Sequence, residues 1–293
     1  MGFYMRKIWI NGKFVDTDKA RVSVFDRGFM YGDGVFETMR SYAGKVFKLD
    51  LHLERLFKSL DVIGIKNKYS KKYLQDAIEK TLKTNSLLSA YIKLIVTRGE
   101  GRFGISHKDI FSPNVVIMAK DFEGYPGWMF NTGLNVNITG VQNEEAVTSR
   151  IKTLNYLPYI LARFDAKDMG FDEAVLTNTK GYITEGATSN IFIVKNSILI
   201  TPSEDSGILP GITRSIIIEI AKKLKISVKE RLLSRRELLG ADEAFLTNSL
   251  AEVLPVTKVD SKRVGSGVVG EITKLMRISY QKTVIREVTC QGF

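Results

Sequence analysis

The chain has 293 residues, of which 44% are hydrophobic and 26% charged, a composition typical of a folded protein and not of a disordered one. Its net charge of +11 suits an anion-binding protein, but basic residues alternate with acids, as in KKYLQDAIEK, so we expect no nucleic-acid partner. No apolar run approaches the roughly 20 residues of a membrane span, and the only cysteine is Cys290. These features predict a cytoplasmic protein that does not associate with membranes.

Residues 1–120 are expected to form a smaller α+β domain. KIWI and KFV predict a hairpin that turns at Asn11-Gly12, and VFETMRSYAGKVFKL predicts a strand pair that turns at Ala43-Gly44. The leucines of LDLHLERLFKSLDVIG recur at helical intervals, and KKYLQDAIEKTLKTN predicts a second helix. AYIKLIVTRG and NVVIMAK follow as two strands.

Residues 121–133, DFEGYPGWMFNTG, interrupt every periodic pattern and are predicted to be an interdomain linker. Residues 134–293 alternate short strands with the amphipathic helix TRSIIIEIAKKLK and a closing helix near EITKLMRISYQK, which predicts a larger α+β domain. We expect the active site at the junction of the two domains, where ligand sites commonly occur.

Five stretches contain residues suited to chemistry, although each also has an ordinary structural explanation. Lys152 precedes a predicted helix, and Glu185 lies in a small, weakly polar stretch where a carboxylate needs a partner. Pro210-Gly211 precedes a helix whose first amides could hold a phosphate, and Thr247 ends an apolar strand. Arg55 could bind a phosphate or simply extend from a helix edge into solvent.

Other chemistries have little support in the sequence. Two histidines, His52 and His107, and one remote cysteine are too few for a zinc site, so we expect no metal. No G-x-S-x-G motif accompanies them, and no G-x-x-x-x-G-K-[ST] phosphate-binding motif is present. A lysine, an acid, an arginine and two phosphate-type turns together fit pyridoxal 5'-phosphate.

Six motifs in order extend this interpretation over nearly the whole chain: FDRGFMYGDGVFETMR, HLERL, KTLNYL, GYITEGATSNIF, LPGITR and TNSLAEVLPV. Their order resembles the fold-type IV pyridoxal-phosphate enzymes, which include branched-chain aminotransferases, D-amino-acid aminotransferases and aminodeoxychorismate lyases. The resemblance implies a two-domain α+β fold and a homodimer in which a partner loop completes the substrate pocket.

The resemblance also implies roles for individual residues. Lys152 matches the lysine that binds the cofactor covalently and transfers the proton, and Glu185 matches the acid that keeps the pyridine nitrogen protonated. The other residues that match cofactor contacts are Arg55, Tyr156, Leu209, Ile212, Thr213, Thr247 and Asn248, of which Tyr156 would bind the phenolic oxygen and Leu209 would lie under the ring.

The substrate pocket is less uniform in its resemblance. Tyr31, Phe36 and Arg40 resemble the pocket of branched-chain aminotransferases, whereas Thr38 and Asn248 replace glycines of those enzymes and resemble aminodeoxychorismate lyases. Arg98 is shared with D-amino-acid aminotransferases. These residues leave three subgroups open.

We therefore predict an aminotransferase that moves an amino group between an amino acid and a 2-oxo acid, with a branched-chain or other apolar L-amino acid as the first choice of substrate. The alternatives are 4-amino-4-deoxychorismate lyase and then D-amino-acid aminotransferase. A non-enzymatic basic binding protein is the remaining possibility, and it would bind no cofactor.

Overall fold

The structure is a computed structural model that describes residues 7–105, 112–143 and 147–290. It divides into two compact units. Unit 1 comprises the described residues of 1–123, 151–155 and 287–293, and unit 2 comprises those of 124–150 and 156–286. Each unit combines helices with a sheet, so the predicted α+β class is confirmed.

Unit 1 contains a six-stranded antiparallel sheet in the order β2-β1-β6-β5-β3-β4. The strands are β1 Lys7–Ile10, β2 Lys13–Asp16, β3 Gly34–Tyr42, β4 Lys45–Val46, β5 Ala90–Thr97 and β6 Asn114–Asp121. The two predicted tight turns are confirmed, since Asn11, Gly12, Ala43 and Gly44 all have the positive φ that such hairpin turns require.

The helices of unit 1 are α1 Arg27–Tyr31, α2 Leu49–Val62 and α3 Lys71–Thr84. The predicted periodicity of α2 is confirmed, because Leu53, Leu56 and Leu60 are buried in the core. That core also contains Val35 and Met39 of β3, so one face of β3 points towards the packed interior, and the alternate residues Phe36 and Thr38 point to the other face.

Unit 2 contains a larger mixed sheet with strands β7 Leu134–Asn143, β8 Glu173–Asn178, β9 Tyr182–Gly186, β10 Ser189–Lys195, β11 Ile198–Thr201, β12 Val228–Glu230, β13 Leu233–Ser234, β14 Glu243–Asn248, β15 Glu252–Val259 and β16 Lys262–Arg263. Its path runs β12-β11-β10-β14-β15-β7-β8-β9-β13, and β10 pairs with β9 as well. The pairings β10-β14-β15-β7-β8-β9-β10 therefore form a closed circuit of six strands.

The helices of unit 2 are α4 Gly127–Asn131, α5 Leu157–Asp168, α6 Ile212–Lys223, α7 Arg235–Leu239 and α8 Glu271–Cys290. Pro158 lies in the first turn of α5, where its missing amide hydrogen costs nothing. Nearly every apolar residue of α6 is buried, including Ile216 and Ile217. In the part of the chain that the structure describes, no helix combines the length and the hydrophobicity needed to cross a membrane.

Two segments differ from the expected division into domains. The expected linker, residues 121–133, includes the end of β6 and all of α4, and Met129 and Phe130 pack against the core of unit 2. Ile151–Asn155, expected within the larger domain, belongs to unit 1. The cause is backbone pairing with β3, because Phe36 N donates to Lys152 O at 2.9 Å and Leu154 N donates to Gly34 O at 3.0 Å. A local sequence pattern does not specify such a pairing.

Candidate active site

In unit 1, Lys152 lies beside the aromatic ring of Phe36. The backbone pairing with β3 fixes the position of the lysine, and its Nζ lies 4.6 Å from the centre of the Phe36 ring. Lys93 of β5 approaches the same ring, with its Nζ at 4.7 Å from the centre, and burial lowers the pKa of Lys93. Two amino groups therefore share one aromatic neighbour on the face of β3 that points away from the unit 1 core.

Arg55 of α2 is bound in a buried network with Glu37 of β3 and His52 of α2. Arg55 Nε donates to Glu37 Oε1 at 2.8 Å, and Arg55 Nη2 donates to Glu37 Oε2 at 2.7 Å. His52 Nδ1 lies 2.7 Å from the same Oε2. Glu37 and His52 are fully buried, and only 14% of the Arg55 side chain is exposed.

The protonation states of this network follow from its contacts. Burial raises the pKa of Glu37, but the charge and hydrogen bonds of Arg55 and the hydrogen bond of His52 outweigh burial and bring that pKa to about 2. Burial lowers the pKa of His52, against the raising effect of Glu37. Because an ionised carboxylate only accepts hydrogen bonds, neutral His52 carries its proton on Nδ1 and donates it to Glu37.

The predicted pocket residues of unit 1 have different surroundings. Thr38 lies directly across from Lys93 in the β3–β5 pairing, and the Arg40 guanidinium stacks on the rings of Tyr42 and Phe122. The Tyr31 hydroxyl accepts a hydrogen bond from Gly104 N at 3.0 Å.

Arg98 connects Asp33 to the chain segment that follows α2 in unit 1. Its Nε donates to Asp33 Oδ2 at 2.7 Å, and its two terminal nitrogens donate to the carbonyls of Ile63 and Gly64. All three of its nitrogens therefore hold neighbouring chain segments, and these contacts favour a structural role for Arg98 over direct contact with a substrate.

In unit 2, Glu185, Asn190 and Thr247 form a row across three adjacent strands. Asn190 of β10 pairs with Glu185 of β9 on one side and with Thr247 of β14 on the other. Residues directly opposite each other project from the same face of a sheet. Asn190 Nδ2 donates to Glu185 Oε2 at 3.3 Å, and Thr247 Oγ1 is buried with no hydrogen-bond partner among the described residues. The row thus combines a buried acid with an unpaired hydroxyl.

The loop before α6 is fastened to this row. Leu209 N donates to Glu185 Oε2 at 3.1 Å, and Asn190 Nδ2 also donates to Leu209 O at 2.9 Å. Gly211 has no room for a side chain, because a Cβ there would collide with Asn190 Oδ1. No side chain caps α6, so the amides of Ile212 and Thr213 begin the helix beside the row. Helix-start amides and a free hydroxyl together form a receptor suited to a phosphate.

The two remaining predicted residues of unit 2, Tyr156 and Asn248, form hydrogen bonds with backbone atoms that are close in sequence to the row. The Tyr156 hydroxyl donates to Ala187 O at 3.5 Å, two residues after Glu185. Asn248 Oδ1 accepts hydrogen bonds from Leu250 N at 3.0 Å and Ala251 N at 2.7 Å. Asn248 therefore shapes the turn between β14 and β15.

The sequence analysis missed Glu37, Asn190 and Lys93, and it considered His52 only as a zinc ligand or a member of a hydrolase triad. The available signal for Glu37 was an acid at a core-facing position between Val35 and Met39, where a charge requires a partner. His52 precedes Arg55 by one helical turn, which places both on one face of α2. No cluster of three metal-binding side chains occurs among the residues that the structure describes, and His107 lies outside them.

Comparison with known proteins connects these features to one family. The family profile described as amino-transferase class IV matches residues 34–259. A putative branched-chain-amino-acid aminotransferase of Methanocaldococcus jannaschii is 40% identical, over 94% of this chain and 95% of its own length. The D-alanine aminotransferase of Bacillus licheniformis is 30% identical over 96% of this chain and 98% of its own.

A solved structure of a branched-chain aminotransferase is also similar to this chain. The structure of the branched-chain amino acid aminotransferase from Thermobaculum terrenum, in its PLP-bound holo form, superposes with a TM-score of 0.86 at 28% identity. The match covers 95% of this chain and 94% of that one, so it extends over both units. The resemblance inferred from the six motifs is confirmed. The chain belongs to the class IV aminotransferase family.

Proposed function

We propose that the protein is a pyridoxal-phosphate-dependent aminotransferase that transfers an amino group between a branched-chain L-amino acid and a 2-oxo acid. The observation that carries this proposal is the link between a buried acid and a phosphate receptor in unit 2. Asn190 and Leu209 join Glu185 to the loop before α6, so the two groups have a fixed spacing. A cofactor with a ring nitrogen at one end and a phosphate at the other needs such a spacing.

The residues present fit this cofactor. The Thr247 hydroxyl and the first amides of α6 would hold the phosphate, and Arg55 would add a positive charge to it. Glu185 would keep the ring nitrogen protonated. When bound, the cofactor supplies an electron sink for the substrate Cα. Tyr156 would donate to the phenolic oxygen of the ring.

Lys152 would carry out the proton transfer. Its amine would remove the proton from the substrate Cα and then deliver it to the C4' atom of the cofactor. The Phe36 ring beside Nζ is compatible with this role, because an apolar neighbour replaces water around the amine. Pairing of residues 151–155 with β3 would hold the backbone of the lysine still while its side chain moves.

The substrate is proposed from the relatives and from the lining of the site. The 40% identical relative is named for branched-chain amino acids, and Phe36 presents an apolar ring next to Lys152. Thr38 matches the residue type of aminodeoxychorismate lyases at this position. The similarity to a D-alanine aminotransferase makes a D-amino acid the other alternative substrate. These three possibilities differ in the compound that the enzyme consumes, so a substrate panel separates them.

The test is incubation of the cofactor-loaded protein with L-leucine, D-alanine, D-glutamate and 4-amino-4-deoxychorismate in separate reactions. We expect L-leucine to convert the bound cofactor to pyridoxamine phosphate and Lys152→Ala to abolish the conversion. Reaction with the D-amino acids alone would overturn the proposed substrate, and release of pyruvate without an amino acceptor would establish the lyase. A protein that binds no cofactor would overturn the enzyme proposal altogether.

We propose that the chain forms a homodimer through α5. Leu157, Ile160, Leu161 and Phe164 are exposed apolar residues at helical spacing, so they form one stripe. Sedimentation should show a dimer that Phe164→Glu dissociates, whereas Leu88→Glu, at an exposed leucine of unit 1, should leave it intact. A monomeric wild-type protein would contradict this assembly.

We also propose a cytoplasmic location, because a single cysteine cannot form an internal disulfide.

A further inference from the structure

We propose that Glu37 and His52 are positioning residues that orient the Arg55 guanidinium for the phosphate of the cofactor. The inference rests on the proposed function, in which Arg55 binds that phosphate. In this proposal, Glu37 and His52 do not contact the cofactor themselves, and both act through Arg55.

The first argument is the geometry of the Glu37–Arg55 pair. Two hydrogen bonds, from Nε to Oε1 at 2.8 Å and from Nη2 to Oε2 at 2.7 Å, join the two planar groups along one edge. A single bond would let the guanidinium rotate, whereas two parallel bonds hold it in one plane. The plane of the guanidinium is then determined by the position of Glu37, and recognition of a phosphate by a planar guanidinium depends on that plane.

The second argument is the rigidity of the anchor. Glu37 lies in the middle of β3 between Val35 and Met39, and all three residues are completely buried. Since the flanking side chains belong to the packed core, the carboxylate cannot follow a moving arginine. A surface acid at the same distance from Arg55 would not impose this restriction.

The third argument is the second donor to the carboxylate. His52 donates to Oε2, the oxygen that also accepts from Arg55 Nη2. This contact fixes the rotation of the Glu37 carboxylate itself, and His52 is held one helical turn before Arg55 on the same helix. The chain of contacts therefore runs from His52 to Glu37 and from Glu37 to Arg55.

A buried ion pair can also be purely structural, and ligand discrimination separates the two cases. Structural damage weakens the binding of any ligand to the same extent. Misorientation of Arg55 weakens only ligands that carry a phosphate. Pyridoxal lacks the phosphate but keeps the ring and the aldehyde, so it is the appropriate reference ligand.

The main experiment compares dissociation constants of pyridoxal phosphate and pyridoxal for cofactor-free wild type and Glu37→Gln, measured by absorbance titration. We expect the dissociation constant for pyridoxal phosphate to rise about 10-fold, by analogy with the loss of a residue that orients a metal ligand. The constant for pyridoxal should not change. Glu173→Gln is the matched control, since Glu173 is a buried acid paired with Arg163 in unit 2. It should change neither constant. Equal weakening of both ligands in Glu37→Gln, or no weakening, would overturn the proposal.

His52 provides a second test if Glu37→Gln folds poorly. His52→Leu removes the donor to Oε2 and should weaken pyridoxal phosphate selectively, while His52→Asn keeps an N–H near the position of Nδ1 and should restore much of the affinity. Failure of asparagine to perform better than leucine would count against the proposal. Thermal unfolding of each variant measures structural damage independently of ligand.

Arg55→Gln separates this inference from the proposed function. If it leaves the preference for pyridoxal phosphate over pyridoxal unchanged, the proposed role of Arg55 is wrong. If it abolishes the preference but Glu37→Gln does not, only the positioning role is wrong. We expect both variants to reduce the preference and the double variant Glu37→Gln/Arg55→Gln to discriminate no less than Arg55→Gln alone, because Glu37 acts only through Arg55.

Discussion

Two buried glutamates among the described residues, Glu37 and Glu173, each bind an arginine and differ in their protonation behaviour. In unit 1, Glu37 binds Arg55 through two hydrogen bonds and His52 through a third, and the pKa of Glu37 is lowered to about 2. In unit 2, Glu173 binds Arg163 and accepts from Ala174 N and the Thr188 hydroxyl, yet burial raises the pKa of Glu173.

The difference lies in the partner. Arg163 is 44% exposed, so water competes for its charge, whereas Arg55 is 14% exposed and aligned with the carboxylate along an edge. A buried carboxylate remains ionised only when its partners offset the lost hydration. The partners of Glu37 offset the lost hydration, whereas those of Glu173 offset it only in part.

The largest expected effect is on stability. Glu37→Ala leaves Arg55 and His52 buried without their acceptor and should reduce the free energy of unfolding by about 3–5 kcal/mol. Glu173→Ala should cost about 1–3 kcal/mol, because the half-exposed Arg163 can turn towards water. Denaturant unfolding of both variants measures the difference. Equal losses would mean that exposure of the arginine does not distinguish the two pairs.

The next effect is on the pH dependence of stability. Glu37 has a folded pKa of about 2, below the ordinary 4.5, so its contribution is complete above pH 4.5 and is lost as pH falls towards 2, by about 3 kcal/mol in total. Glu173 has a raised folded pKa, so its contribution is present at low pH and is lost as pH rises through that pKa.

Unfolding free energies of wild type, Glu37→Gln and Glu173→Gln between pH 7 and pH 3 test this contrast. The advantage of wild type over Glu37→Gln should shrink as pH falls, and its advantage over Glu173→Gln should grow. Slopes of the same sign in the two comparisons would contradict the assignment of opposite pKa shifts.

The smallest effect is the titration of His52, since Glu173 has no histidine among the partners given above. His52 should remain neutral at pH 6.5, with its proton on Nδ1, since burial lowers its pKa below the usual 6.5. Nitrogen NMR of the imidazole rings, with His52→Asn for assignment, measures this state. A midpoint at or above 6.5 would show a charged His52 and a different balance of charge around Glu37.

Local sequence patterns predicted much of this fold. The hairpin turn at Asn11-Gly12, the helices α2 and α3 and the strands β5 and β6 follow from short-range periodicity and turn residues, and all are confirmed. The order of six motifs similarly indicated the family from the sequence alone. Such features depend on neighbours within about one helical turn or one hairpin.

Contacts between distant parts of the chain could not be predicted in this way. The sequence separates Lys152 from Phe36 by more than a hundred residues, and only the pairing of 151–155 with β3 brings them together. In the sequence Glu37 is one acid within a strand, and it gains its partners only when α2 packs against β3.

The sequence by itself determined the helices, the hairpins and the family, because these depend on residue type and local spacing. The resemblance to that family then singled out Lys152 as the proposed reactive lysine. The tertiary structure alone decided which charges are buried and what they contact. That decision sets the direction of Arg55, the ionisation of Glu37 and the unpaired hydroxyl of Thr247. The physical reason is that burial and hydrogen-bond geometry arise from packing of distant segments, and they change the energy of a charge far more than its neighbours in sequence do.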